Sequence, residues 1–222
     1  MGENGTGAPE GMVLVAAGPF LFGREKRTVT LGGFWIDRDP VTNRAYLAFI
    51  EATERGRPTY WPIGTLPEAL LDHPVVCVTF EDAQAYAQWA GKDLPTPAQW
   101  EKAARGADGR KFPWGSGFDT HRTNTKESAQ GKTVPVTKLR DESPYGCRGM
   151  AGNVLEWTRG VADPKTGARV VKGCSFRSYL GAASWSYDMA PSASNDALGF
   201  RCVKPLASAV REAAPGEVAG PA

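Results

Sequence analysis

The sequence predicts a single soluble α+β domain of 222 residues in which ordered loops outweigh regular structure. Three observations carry this expectation. Three threonines each precede an amphipathic helical stretch, short apolar runs punctuated by Gly and Pro alternate with those stretches, and 26 Gly and 7 Trp are plentiful for the length. Large core side chains joined by many tight turns favour a loop-rich fold over a helical bundle. The length supports one substantial hydrophobic core and gives no reason for two.

Taken in order, residues 1–11 are polar and Gly-rich and read as a tail, as does the Ala-rich stretch 205–222, which could form a marginal helical turn. The domain proper is expected over 12–204. It opens with MVLVAAGPFLFG, whose two apolar runs flank Gly18-Pro19 as a strand pair or a bent strand, and RTVTLGGFWID continues extended. Thr42 caps a helix that places Tyr46, Phe49 and Ile50 on one face. A polar, Pro-rich connection over 54–74 leads to extended HPVVCV, after which Thr79 caps a second helix with Ala83, Tyr86, Ala87 and Ala90 on its buried side. The third helix has the clearest start: Thr96 as cap, Pro97 at the first position and Gln99 completing a capping box. From Gly106 to Gly152 the chain is mostly turns, anchored by Phe112, Trp114 and Tyr145, and short extended pieces follow near Val154–Trp157, Val170–Phe176 and Phe200–Val203.

Several function classes are excluded at this level. The 26 basic and 24 acidic side chains are mixed and leave +2, which provides no concentrated field for nucleic acid. No segment has the 18 or more apolar residues of a membrane span, and the N-terminus lacks a signal-peptide pattern. Cytoplasmic residence is the default expectation; display through a partner, or a leader removed in maturation, remains compatible with it. Dinucleotide, P-loop, zinc-protease and serine-hydrolase motifs are absent. Cys77, Cys147, Cys174 and Cys202 lack metal-site spacing and read as buried thiols or as one or two disulfides. His73, before a proline at the edge of an apolar run, reads as structural, and His121, in THRTN, as solvent-exposed.

Two features stand out against that background. Glu156 places a carboxylate inside the apolar string GNVLEW, where it needs a cation or several donors. Hydrogen bonding within the fold and calcium ligation supported by loop carbonyls both satisfy that need. The second feature is RSYLGAASWSYDMAPSASN, residues 177–195, too irregular for an amphipathic helix and too rich in Gly, Ala and Ser for a continuous strand. Its aromatic residues among small polar ones suit adaptable recognition, although a long loop packed on the domain gives the same composition.

The strings GGFWIDRDPVTNRAYLAFI, HPVVCVTFEDAQAYAQWAGKDLPTPAQWEKAARG, FPWG, GMAGNVLEW, and GCSF followed by GFRC together resemble the formylglycine-generating enzyme, or sulfatase-modifying factor, family. The resemblance covers about residues 12–204 and implies a C-type-lectin-like fold: a small twisted antiparallel sheet, main helices near 43–53 and 80–90, and a short extra helix at 97–104. The oxidases of this family use two copper-binding cysteines, and the corresponding positions here are Ser178 and Ala183. Neither a hydroxyl nor a methyl replaces a soft thiolate for Cu(I), so copper is not expected. The resemblance further implies calcium, with Glu156 as a ligand and Gly152 and Val154 contributing backbone oxygens, and a weaker site beginning at Asn124 and Thr125. Gly149 stands where an Asn or Asp ligand is usual. Cys202 matches a disulfide cysteine whose usual partner position is Ala87, so that bond is not carried over.

The same fold is used without oxidase chemistry by variable proteins of diversity-generating retroelements, whose hypervariable residues lie in a segment that corresponds to Cys174–Arg201. That likeness implies a non-catalytic binding protein with a protein or other macromolecular ligand. Trp185 and Tyr187 are the expected anchors, while Ser178 and Asn195 tune polar complementarity. The remaining expected contacts are Arg177, Tyr179, Leu180 and Ser184 before Trp185 in the chain, and Ser186, Asp188, Ser192 and Asp196 after it. A family-related enzyme acting without the cysteine pair, and an accessory protein-recognition domain, are the alternatives.

Overall fold

The computed structural model describes residues 8–206, so the expected helical turn in the C-terminal tail lies outside the described residues. Nine strands and four α-helices occur among them. The strands are β1 (Met12–Val15), β2 (Gly18–Phe22), β3 (Arg27–Leu31), β4 (Phe34–Asp37), β5 (Leu155–Asp163), β6 (Ala168–Lys172), β7 (Ser186–Met189), β8 (Leu198–Phe200) and β9 (Val203–Pro205). The helices are α1 (Asn43–Thr53), α2 (Glu68–Leu71), α3 (Phe80–Trp89) and α4 (Pro97–Arg105).

The strands form three small sheets: β1-β4-β9, β2-β3 and β7-β6-β5-β8. Of the two arrangements expected around Gly18-Pro19, a strand pair or a bent strand, the pair is not formed. Instead β1 pairs with β4 and β2 with β3, so the two halves of MVLVAAGPFLFG belong to different sheets. Nor is the largest sheet wholly antiparallel: β5 and β8 run parallel, in register at Glu156 and Gly199. The long crossover between these strands, which contains β6 and β7, makes a parallel pairing possible.

Local signals place the helices. The Thr42 hydroxyl accepts from the Ala45 N–H, and both Thr79–Asp82 and Thr96–Gln99 form complete capping boxes. Each cap contributes about 1 kcal/mol. The helix α2, inside the 54–74 connection, has no counterpart among the sequence-based expectations. That connection is held by Asn43, which is fully buried: its Oδ1 accepts from Tyr60 Oη at 2.7 Å and Trp61 Nε1 at 3.1 Å, and its Nδ2 donates to Leu70 O.

The run HPVVCV is apolar for a reason other than strand formation. Val75, Val76 and Val78 are buried, but Cys77 takes a left-handed φ of 58° that breaks any ladder. Isolated bonds replace it, from Val75 N to Val41 O and from Cys77 N to Asn195 O.

The main core joins α1 and α3 to the four-stranded sheet. Tyr46 and Tyr86 stack with centroids 5.7 Å apart, and Phe200 meets Tyr86 edge-on at 5.3 Å. Trp157, wholly buried, donates from Nε1 to Val78 O. Burial of each such side chain contributes roughly 1.5–3 kcal/mol. A second core lies under α4, where Trp100, Ala103 and Ala104 pack with Val15, Phe34, Ile36 and Ala183. All four cysteines are free thiols, three buried and Cys77 partly exposed. No helix among the described residues is long and apolar enough to cross a membrane.

Candidate recognition surface

The segment from Cys174 to Arg201 leaves and re-enters the core at fixed points. At its start, a Cβ on Gly173 would lie 3.2 Å from the Trp100 ring, so only glycine permits this approach without displacing the indole. The Cys174 sulfur then accepts from the Gly181 N–H at 3.2 Å, and burial pushes this thiol up, which keeps it neutral.

At the far end Arg201 is fully buried and uses all five N–H groups. Nε and Nη2 each donate to Glu156 at 2.7 Å, Nη1 donates to the carbonyls of Asp37 and Arg38, and Nη2 also donates to that of Arg148. Trp100 Nε1 adds a 2.6 Å bond to Glu156 Oε2. Burial works against the guanidinium charge, but Glu156 more than restores it and holds the arginine above its ordinary range. The cation that Glu156 requires is therefore Arg201, 45 positions later in the chain.

Between these ends the chain turns outward. Tyr179 is 64% exposed, Trp185 39% and Tyr187 37%. Arg177, Ser186, Asp188, Ser192 and Asn195 are also exposed. Against the expectation of an irregular segment, strand β7 forms here; it pairs Ser186 to Met189 with Lys172 to Arg169 of β6 and so sets Tyr187 and Asp188 on a fixed backbone. Its partner strand lies outside the segment, which is why composition alone argues against a strand here.

Other expected contacts are less available. Leu180 is corrected outright: it is buried against Phe112 and Ala151, so it packs the loop instead of facing a ligand. Ser178 is half-buried, and its hydroxyl accepts from Ser175 N–H and donates to Ser175 O, which closes a local turn. Ser184 and Asp196 are half-buried, and Asp196 receives the Arg177 guanidinium, which holds its carboxyl below the usual range. Ala183, the second position matching a family cysteine, is buried in the core beneath α4.

Three neighbours of the segment escape sequence reasoning. Lys126 stands 4.7 Å from the centre of the Tyr179 ring, Arg24 stands 5.4 Å from that of Trp185, and Glu127 accepts from the Leu180 N–H. Nothing in the linear spacing points to them, since each is brought in by a distant turn. Trp185 itself lies over Gly181, where a Cβ would come within 2.5 Å of the indole.

Calcium does not fit the donor set at Glu156. Both carboxylate oxygens accept from Arg201 and one also from Trp100, so a divalent cation here would sit against a guanidinium. The Gly152 carbonyl accepts from Val154 N–H. At the weaker position, Asn124 Oδ1 accepts from Ser128 Oγ, the Asn124 carbonyl from Asn153 N–H, and the Thr125 carbonyl from Ser128. Asn153, with φ of 71°, bonds both backbone polar groups of Val134, whereas the buried Thr125 hydroxyl has no hydrogen-bond partner among the described residues.

Comparison with known proteins gives one consistent result. The chain is 34% identical to the formylglycine-generating enzyme of Thermomonospora curvata, over 75% of this chain and 82% of that protein. It is 29% identical to the inactive C-alpha-formylglycine-generating enzyme 2 of Bos taurus, with 90% of each covered. It is 31% identical to YfmG of Bacillus subtilis over 88% of its own length, but spans only about half, 54%, of that relative. Among solved structures, PvdO from Pseudomonas aeruginosa superimposes with a TM-score of 0.73 at 24% identity, covering 88% of this chain and 94% of PvdO. Treponema denticola variable protein 1 gives 0.70 at 20% identity, covering 88% and 95%. At these identities the superpositions establish a shared fold. The match to the sulfatase-modifying factor enzyme 1-like domain extends over residues 1–206, nearly the whole sequence, and the chain belongs to that family.

Proposed function

We propose that this chain is a non-catalytic ligand-binding protein that presents the segment 177–196 to a protein or other macromolecular partner, in the manner of a retroelement variable protein. One observation carries the reading: Tyr179, Trp185 and Tyr187 stand exposed along a segment whose two ends are locked into the buried core. Rigid aromatic area among Ser, Asn and Asp binds with little loss of side-chain entropy, and a fixed backbone avoids an ordering cost on association. The serine and alanine at 178 and 183 support the same reading, because they supply no thiolate where the family's oxidases hold copper.

The genomic locus tests the retroelement assignment. The expected finding is a near-copy of the DNA encoding 174–202, differing at template adenines, beside a reverse-transcriptase gene. An intact locus with neither removes that assignment. A metal-replete preparation tests the absence of catalysis, with neither stoichiometric copper nor thiol-dependent oxygen uptake expected. Finding both would replace the binding reading with that of a family-related oxidase.

A further inference from the structure

Beside the exposed aromatics lies a cavity of about 440 Å³ between the β2–β3 turn and the β6–β7 pair, lined among others by Arg24, Glu101, Lys172, Ser184 and Ser186. Glu101 and Lys172 of its wall belong to a larger buried group in which basic side chains outnumber acidic ones. Around α4, Lys102, Arg105 and Lys172 are each at most 3% exposed, whereas Glu101 is the single carboxylate that pairs with them among the described residues. Glu101 Oε1 accepts from Arg105 and from Gly23 N–H, and Oε2 accepts from Lys172 Nζ at 2.9 Å. Lys102 donates to the carbonyls of Ala16 and Gly18. Glu101 therefore offsets only part of this buried basic group. Although burial lowers the pKa of both lysines, Lys172 and Arg24 are the basic side chains that line the cavity, where a bound anion would favour the charged ammonium.

The polar groups at the cavity are suited to hold one. Two acceptors engage the Lys172 ammonium, Glu101 and the Ser184 carbonyl, and this leaves one of its three N–H groups beside the Trp100 ring and the cavity. Arg24 has no carboxylate partner among the described residues, and its guanidinium lies 5.4 Å from the centre of the Trp185 ring. An aromatic neighbour that steadies the guanidinium plane favours forked bonding to an oxyanion. The Glu101 carboxylate in the wall sets the charge that is tolerated, since it repels a dianion more than a monoanion.

We propose that this cavity is a subsite for a single carboxylate group, with Arg24 and Lys172 as its cationic donors and the Ser184 and Ser186 hydroxyls as auxiliary donors. Resting on the binding function proposed above, it assigns acidic chemistry to one part of the ligand. The carboxylate can belong to a small organic acid or to a Glu or Asp side chain of a protein partner.

Nuclear magnetic resonance titration of the full chain with butyrate, with the peptide acetyl-Gly-Glu-Gly-amide and its Gln counterpart, and with inorganic phosphate tests the assignment. Butyrate and the Glu peptide are expected to shift the Trp185 indole and the Ser184 and Ser186 amide signals with Kd of about 1 mM, and the Gln peptide is expected to leave them unmoved. Tighter binding of butyrate indicates a small acid as the source, and tighter binding of the Glu peptide an acidic side chain. Arg24→Ala, at an exposed turn, is expected to weaken binding about tenfold without changing the Tm, and Arg24→Lys to recover part of the loss. The subsite is overturned by silence from both carboxylates at about 20 mM, by phosphate binding more tightly than butyrate, or by unchanged affinity in Arg24→Ala. Carboxylate binding that persists when the locus test fails leaves the subsite standing and removes only the retroelement assignment.

Discussion

Glu156 and Arg201 are fully buried with every donor of the guanidinium engaged, whereas Tyr179, Trp185 and Tyr187, which lie between them in sequence, remain 37–64% exposed. The first region is a closed arrangement in which loss of one member strands the others. In the second the backbone is tied to the domain, through the β6–β7 ladder and bonds such as Lys126 N to Ser178 O, while these aromatic side chains face outward. The contrast separates buried, fully bonded side chains at the C-terminal end of the segment from exposed aromatic side chains within it. Under the proposed function it predicts that substitutions at the former cost stability and at the latter cost binding.

The sharpest way to break that contrast is Arg201→Met, which leaves the Glu156 charge buried and unpaired. A loss of about 3–5 kcal/mol is expected in urea unfolding, and a loss below about 1 kcal/mol would mean that the anchor is not structural. Gly181→Ala tests the link between the two regions, because the added methyl meets the Trp185 indole at 2.5 Å. A cost of about 1–3 kcal/mol with altered Trp fluorescence is expected. Trp100→Phe removes one donor to Glu156 and should cost about 1–3 kcal/mol in urea unfolding. Tyr179→Ser and Asp188→Asn belong to the other region, and each should change stability by no more than about 0.5 kcal/mol while weakening capture of the partner. Calcium is expected to have the smallest effect. Saturating calcium should leave the Tm unchanged, because Arg201 already provides the positive charge at Glu156, and an upward shift would reveal an ion site that binds the folded state.

Much of the fold is legible in the sequence because its signals are local. Thr42, Thr79 and Thr96 each announce a helix through contacts within three residues, and all three cap as expected. Signals that depend on distant chain are harder to read. The apolar run at 73–78 is buried without being paired as a strand, and β7 exists because β6 is there to receive it. The candidate site divides in the same way. That Glu156 needs a cation follows from its apolar neighbours, but the identity of that cation depends on a residue in a different strand connection. Leu180 sits in a run whose composition suggests exposure, and the Phe112 surface that buries it comes from a remote loop.

Strand β7 pairs with β6 on one side only and ends the order β7-β6-β5-β8, so Ser186–Met189 also present unpaired backbone N–H and C=O groups at the sheet edge. An open sheet edge can recruit a second chain through its backbone whatever the side chains recognise. Here the edge is only four residues long and carries Asp188, whose charge opposes a like copy stacking against it. If the surface exchanges residues as the proposed function requires, this strand must keep some charge or brevity, because an apolar β-branched replacement at 188 would favour self-association before any partner is met.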